Sequence, residues 1–308
     1  MSKLSVIIPS YNEEAMIPKT AQVIHDLLAE NAIAHELVFV DDGSKDGTWA
    51  QIRNAAQACD AVRGIHFSRN FGKESAIYAG LYYAKGDCSV VIDCDLQHPP
   101  EKIVEMYRLW EEGYEIVEAV KSDRGEESAF HALSAKAFYA IISGVTKIDM
   151  RRASDFKLLD KKAVTVLLNM KEKNSFFRAL SSWIGFKSAQ VEFEVRERTE
   201  GESKWSTKSL IRYALSNVAA FSAAPMQLVT VLGAVMFAVS IVLGAIALIQ
   251  KFTGQALGGF TTVILLQLFS SSIIMISLGI IGYYISKIYE EVKGRPKFIV
   301  SEECGETE

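Results

Sequence analysis

The sequence predicts an α/β domain followed by two transmembrane helices. Two observations carry that prediction. The first 120 residues alternate short apolar runs with amphipathic segments, and residues 213–286 hold a single charged side chain, Lys251. The chain as a whole has 308 residues, 33 Lys plus Arg and 37 Asp plus Glu, for a formal net charge of −4. Near neutrality argues against a nucleic-acid-binding protein, which would show a basic excess. The average also hides a partition, because 69 of the 70 charges lie outside residues 213–286. There they reach an ordinary soluble density. A wholly soluble protein, a secreted disulfide scaffold and a disordered chain are thereby excluded.

Within the polar block, residues 4–9, 36–40, 63–67, 89–92 and 115–119 read as strands, mostly the continuous apolar runs of a parallel sheet. Residues 13–30, 48–59, 73–84 and 101–112 read as the helices between them. Such alternation predicts a parallel sheet covered on both faces, with ligands at the carboxyl ends of its strands. In the apolar block, residues 226–250 and 262–286 are uncharged and each about 25 residues long. At about 1.5 Å per residue either spans a hydrocarbon core of roughly 30 Å. Arg196, Arg198, Lys204, Lys208 and Arg212 precede the first span, and Lys287, Lys293, Arg295 and Lys297 follow the second. The connection holds only Lys251, so both termini are expected in the cytoplasm. Residues 4–9 are too short for the apolar core of a signal peptide.

The expected organisation is therefore a cytoplasmic globular block at 1–205, a juxtamembrane amphipathic helix at 206–225, spans at 226–250 and 262–286, a short external loop at 251–261 and a cytoplasmic tail at 287–308. Residues 206–221 put Leu210, Ile211, Ala214, Leu215, Val218 and Phe221 on one helical face, with Lys208 and Arg212 on the other. That suits either a helix in the headgroup plane or one packed on the globular block. Phe130, Leu133, Ala137, Phe138, Ile141 and Ile142 form a second apolar face, read as core packing. Cys59, Cys88, Cys94 and Cys304 show no C-x-x-C spacing and are expected as free thiols. The five histidines make no zinc-site pattern.

The strand ends carry the candidate chemistry. Pro9-Ser10-Tyr11-Asn12-Glu13-Glu14 follows the first strand, Asp41-Asp42-Gly43-Ser44 the second, and Asp93-Cys94-Asp95-Leu96-Gln97 the fourth. Neither G-x-G-x-x-G nor G-x-x-x-x-G-K-[ST] is present, which removes the main support for a dehydrogenase or a P-loop NTPase. Along an extended segment Asp93 and Asp95 point to one side, with Cys94 turned away. Two carboxylates that close repel unless a cation sits between them. A Mg²⁺ or Mn²⁺ that completes its shell with diphosphate oxygens and water would resolve the repulsion.

The runs SVIIPSYNEE at 5–14, VDDGSKDG at 40–47, SRNFGKE at 68–74 and DCDLQHPP at 93–100, with the paired apolar segments, resemble family 2 glycosyltransferases of GT-A fold. The resemblance is to polyprenyl-phosphate glycosyltransferases of the bactoprenol glucosyltransferase (GtrB) type and, more distantly, to dolichyl-phosphate mannose synthase. It implies an inverting transfer of a hexose from a nucleotide sugar to undecaprenyl phosphate at the cytoplasmic face of a bacterial membrane. Glucose from UDP-glucose is favoured, with UDP-N-acetylglucosamine and UDP-galactose as alternatives.

By the same resemblance Pro9, Tyr11, Asn12 and Glu13 line the nucleotide and Asp42 lies near the uracil. Asp93 and Asp95 bind the diphosphate through Mg²⁺ or Mn²⁺, with Gln97 in the metal's shell. Lys73 meets a phosphate or caps its helix. Asp155, in the run SDFKLLD at 154–160, lies by the acceptor, and Arg124 faces the acceptor phosphate. The family more often has Gly and Arg where Ser154 and Lys157 stand, so a contact from position 157 is expected to be weaker or different. Arg198, Gly201, Ser203, Lys204 and Trp205 match a loop that would close over the donor. A homo-oligomer, specifically a homotetramer, is the corresponding expectation for assembly. Two competing readings are a processive polysaccharide synthase, which should carry Q-x-x-R-W, and a non-catalytic scaffold or flippase-associated subunit.

Overall fold

In the computed structural model the chain forms two compact units, residues 1–210 with 295–308, and residues 211–294. The structure describes residues 2–122, 154–170, 172, 176–194, 224–253 and 260–305. The amphipathic segment 206–221 and the apolar face at 130–142 lie outside them.

The first unit is built on strands β1 (Lys3–Ser10), β2 (Ala34–Asp41), β3 (Val62–Phe67), β4 (Cys88–Val91), β5 (Ile116–Lys121), β6 (Lys157–Asp160), β7 (Ser188–Phe193) and β8 (Val300–Cys304). They form one sheet in the order β7-β5-β6-β4-β1-β2-β3-β8. Among the described residues its helices are α1 (Ile17–Glu30), α2 (Thr48–Ala58), α3 (Lys73–Tyr83), α4 (Glu101–Glu111), α5 (Lys161–Asn169) and α6 (Phe177–Trp183). The central strands are parallel, β3-β2-β1-β4, and their Val, Ile, Leu and Phe side chains are buried on both faces. Continuous apolar runs are what two covered faces require.

Two features depart from the all-parallel expectation. Strand β6 enters between β4 and β5 and runs antiparallel to both, with Val91 opposite Lys157 and Cys88 opposite Asp160. Residues just before β6 therefore lie level with residues just after β4. Strand β8 is also antiparallel, pairing with β3. The tail beyond the second apolar helix is thus a sheet strand rather than a free end. Helix α1 also starts four residues later than its periodicity suggests. Residues 12 and 13 are drawn to the next loop instead, where the Asn12 N–H donates to Ser44 Oγ and the Glu13 N–H to Thr48 Oγ1, both at 2.8 Å. Asn12 takes φ 54°, a left-handed conformation that Asn tolerates better than most residues. Pro18 then suits the first turn, where its missing N–H costs nothing.

Among the described residues the second unit holds helices α7 (Ala224–Phe252) and α8 (Phe260–Val292). Their apolar windows, Val229–Ile246 and Leu266–Val292, have mean hydropathies of 2.5 and 1.8 and no residue buried within the protein. Both helices are long and apolar enough to cross a membrane. Ser240, Ser272 and Ser277 turn their hydroxyls back onto the carbonyls of Met236, Leu268 and Ile273. Such bonds leave no free donor facing an apolar medium.

One core contact tests the packing directly. A methyl group on Gly80 of α3 would collide with the Ile7 side chain of β1, which is fully buried. Gly80→Ala should therefore destabilise the chain by about 1–2 kcal/mol, overpacking outweighing the gain in helix propensity. Denaturation midpoints of the detergent-solubilised protein would measure it, and an unchanged or raised midpoint would show that Ile7 yields.

Candidate active site

The carboxyl ends of β1, β2 and β4 lie on one edge of the sheet because those strands are parallel. That edge gathers residues 11–13, 41–44 and 93–97. Pro9 is buried inside β1, and Tyr11, Asn12 and Glu13 are half-buried at its end. The loops after β1 and β2 interlock. Asp41 Oδ1 accepts from the N–H and hydroxyl of Ser44, and Asn12 Oδ1 accepts from the Lys45 N–H at 2.9 Å. Asp42 faces the loop after β3, where its two oxygens accept from the N–H groups of Phe71 at 2.6 Å and Gly72 at 2.9 Å. Gly43 is needed between these loops, since it has φ 66° and a side chain there would strike the Arg69 backbone.

After β4, Cys94 is buried and its carbonyl accepts from Thr20 Oγ1, while Asp93 and Asp95 stay half-buried. Asp95 Oδ1 accepts from the Gln97 N–H at 3.1 Å. His98 is buried between Phe156 and Phe193, its Nδ1 3.9 Å from Asp93 Oδ2. Burial lowers the His98 pKa, against the opposing charge of Asp93.

The antiparallel course of β6 brings Asp155 to this same place. Lys73, the first residue of α3, reaches Asp93 Oδ1 at 2.6 Å and Asp155 Oδ2 at 3.0 Å. An ammonium at a helix N-terminus opposes the helix dipole, and the two carboxylates offset that cost. The Lys73 stem is 43% exposed, yet its charged end lies between the two carboxylates. Burial alone would lower its pKa, but Asp93 and Asp155 outweigh burial and raise it above the ordinary lysine value.

From the other side Arg178 of α6 grips Asp155 with a fork, Nε to Oδ1 and Nη2 to Oδ2, both 3.1 Å. Burial alone would raise the Asp155 pKa, but first Lys73 and then Arg178 outweigh burial. They hold the carboxylate well below its usual range.

Arg178 is a site residue that the sequence reading did not single out. Its signal was a lone charge within the apolar run Phe176-Phe177-Arg178-Ala179-Leu180, a setting that asks for an anionic partner. Two other side chains fix its helix. Glu74 accepts from the Phe177 N–H at 2.9 Å. Lys157, fully buried, donates to the Arg178 carbonyl at 3.1 Å, Ser181 Oγ at 3.0 Å and Ser182 Oγ at 2.9 Å. Those bonds use its three N–H groups, so the Glu118 carboxylate 3.0 Å away acts as a counter-ion. Position 157 thus serves α6 rather than the cleft. A lysine suits that role, because it gathers acceptors from several directions where a planar guanidinium would not. Arg124, Arg198, Ser203 and Lys204 lie outside the described residues.

The donor set fits a hard divalent cation. Among the described residues no three His, Cys, Asp or Glu side chains come together to hold a metal by themselves. Asp93 and Asp95 supply carboxylates only, which suits Mg²⁺ or Mn²⁺ completed by substrate phosphates and water.

Burial, reinforced by Asp155, pushes the Glu74 carboxyl up to about 8. The folded chain then keeps a proton that the unfolded chain releases above its ordinary value of 4.5. Stability must fall as pH rises through that interval, because the native state binds more protons. Glu74→Gln keeps an acceptor for Phe177 and removes the titration. Its melting temperature should therefore decline less than that of the unaltered chain between about pH 5 and 8. Parallel declines would assign the proton elsewhere.

Comparison with known proteins identifies the family of the chain. The Glycosyl transferase family 2 profile matches residues 5–167. The uncharacterized glycosyltransferase YkcC of Bacillus subtilis is 41% identical over 98% of this chain and 94% of its own. A prophage bactoprenol glucosyl transferase homolog of Escherichia coli is 34% identical over 97% of this chain and 98% of its own. A crystal structure of glucosyl-3-phosphoglycerate synthase from Mycobacterium tuberculosis with Mn²⁺ and UDP superposes with a TM-score of 0.48 at 20% identity, covering 71% of this chain and 78% of that one. The chain belongs to glycosyltransferase family 2 and is a glycosyltransferase.

Proposed function

We propose that the protein transfers glucose from UDP-glucose to the phosphate of a membrane polyprenol, undecaprenyl phosphate, with inversion at the anomeric carbon. The observation that carries this reading is the bracket of Lys73 and Arg178 on Asp155, beside Asp93 and Asp95. A sugar-hydroxyl acceptor would call for a free carboxylate base. Here the carboxylate is ion-paired on both sides, an arrangement suited to an acceptor that arrives already anionic. The relatives named for bactoprenol glucosyl transfer support the same acceptor and sugar. A membrane location is supported by the two apolar helices. The cationic flanks favour the cytoplasmic side.

The reaction forms a bond from an acceptor phosphate oxygen to the anomeric carbon as the bond from that carbon to the diphosphate breaks, and UDP leaves. A phosphate monoester has a second pKa of about 6, so the nucleophile needs little help from a base. Asp155 orients Lys73 and Arg178, which receive the acceptor phosphate. Asp93 and Asp95, with Gln97, would hold the divalent cation, whose chemistry is to neutralise charge developing on the leaving diphosphate. The loop residues Tyr11, Asn12 and Glu13 shape the nucleotide side of the cleft.

Membranes containing the protein, given labelled UDP-glucose and undecaprenyl phosphate, should gain label in the lipid fraction, and Asp95→Ala should abolish the gain. Transfer by that variant would refute the metal site. Label from UDP-N-acetylglucosamine or UDP-galactose in place of UDP-glucose would reassign the sugar. For Asp155→Asn we expect a loss of about 10- to 100-fold with an unshifted pH–rate profile, the scale of misplaced charged groups rather than a missing base. A loss of several thousandfold that high pH does not rescue would make Asp155 an essential general base.

A further inference from the structure

The C-terminal strand does more than close the sheet. Strand β8 follows α8 after only seven residues, 293–299, and pairs with β3 through Gly64–Cys304, Ile65–Glu303, His66–Glu302 and Phe67–Val300. The pairing is irregular between His66 and Phe67. Side chains secure it at that point: Phe298 stacks on Phe67 with ring centres 5.3 Å apart, and Ser301 Oγ donates to the His66 carbonyl at 3.1 Å.

From β8 a line of polar contacts runs inward. Glu302 Oε2 accepts from Trp49 Nε1 at 2.9 Å. The Trp49 ring stacks on His66, with centres 5.0 Å apart and planes 21° from parallel. His66 Nδ1 lies 2.8 Å from Asp41 Oδ2, and Asp41 is fully buried. The other oxygen of Asp41 holds Ser44, whose hydroxyl accepts from the N–H of Asn12. Covering an exposed strand edge needs backbone pairing alone. A side-chain path that ends on the left-handed residue of the β1 loop is not required for it.

We propose that β8 is a positioning element for the donor loop, the Glu302–Trp49–His66 contacts fixing Asp41 and Ser44 and through them the conformation of Asn12. The functional half of this proposal rests on the reading of residues 11–13 and 41–44 as the nucleotide side of the cleft. It ties donor binding to the segment that follows the second apolar helix. A chain that has not completed both helices lacks the strand that braces its donor loop.

The test uses the full chain in lipid nanodiscs, with Glu302→Ala, Trp49→Phe and, as a surface control on α4, Glu111→Gln. Hydrogen exchange is followed at 9–14, 41–48 and 300–304 without ligand and with UDP and Mn²⁺. Loss of one such side-chain contact should raise the KM for UDP-glucose roughly three- to tenfold and leave kcat within about twofold. Both Glu302→Ala and Trp49→Phe should exchange faster at 41–48 in the absence of nucleotide, with 300–304 still protected and the control unchanged. Unchanged exchange at 41–48 in both variants overturns the proposal. So does loosening in Glu302→Ala alone together with loss of protection at 300–304, which would reduce β8 to an edge cover. If UDP protects neither 9–14 nor 41–48 in the unaltered chain, the donor-site reading fails. The ligand-free exchange then still decides whether β8 braces the loop.

Discussion

A carboxylate held between two cations organises this cleft. Asp155 meets Lys73 from α3 on one side and Arg178 from α6 on the other, and Lys73 continues to Asp93 at the end of β4. Four segments separated in sequence are joined at one point by charge. An unpaired charge at that depth would be costly, so each partner stabilises the others in place. The same bracket limits the chemistry: a carboxylate with two cationic partners is a weak base and a good organiser of positive charge.

The support around the bracket is built from buried polar groups. Lys157 spends its three N–H groups on α6, and Glu118 balances its charge. Glu74 holds the start of the same helix. At the strand ends the β1, β2 and β3 loops interlock through Asp41, Ser44, Asn12 and Asp42 rather than through apolar packing. Polar interlocking suits a site that must present backbone and side-chain groups to a charged ligand. It also makes the loops depend on their bracing, which is where the C-terminal strand enters.

Much of this was legible in the sequence. The central strands and the first four helices fall close to the positions their apolar runs and 3.6-residue periodicity predict, and both apolar helices appear where the charges vanish. Continuous Val, Ile and Leu runs report burial on two faces, and absent charge reports an apolar surround; both are local properties. Helix α1 starts later than periodicity predicts because Asn12 and Glu13 bond to the following loop, a contact that periodicity does not register. Asp93 and Asp95 could be singled out as candidates by residue type and position, and Asp155 through the family resemblance of its segment. Arg178 offered only a lone charge in an apolar run, and its partner, like the inward-facing role of Lys157, depends on which element lies opposite.

The sequence by itself determined the α/β class, the order of its central elements, the two apolar helices and the acidic residues that end the strands. Burial pattern and charge density act over a few residues, and so they are written into the chain. The tertiary structure alone decided that β6 runs antiparallel beside β4, and hence that Asp155 arrives level with Asp93. It alone decided that the tail returns to β3 as a strand. Strand direction and pairing are settled by contacts between segments tens to hundreds of residues apart. No local pattern of side chains encodes them.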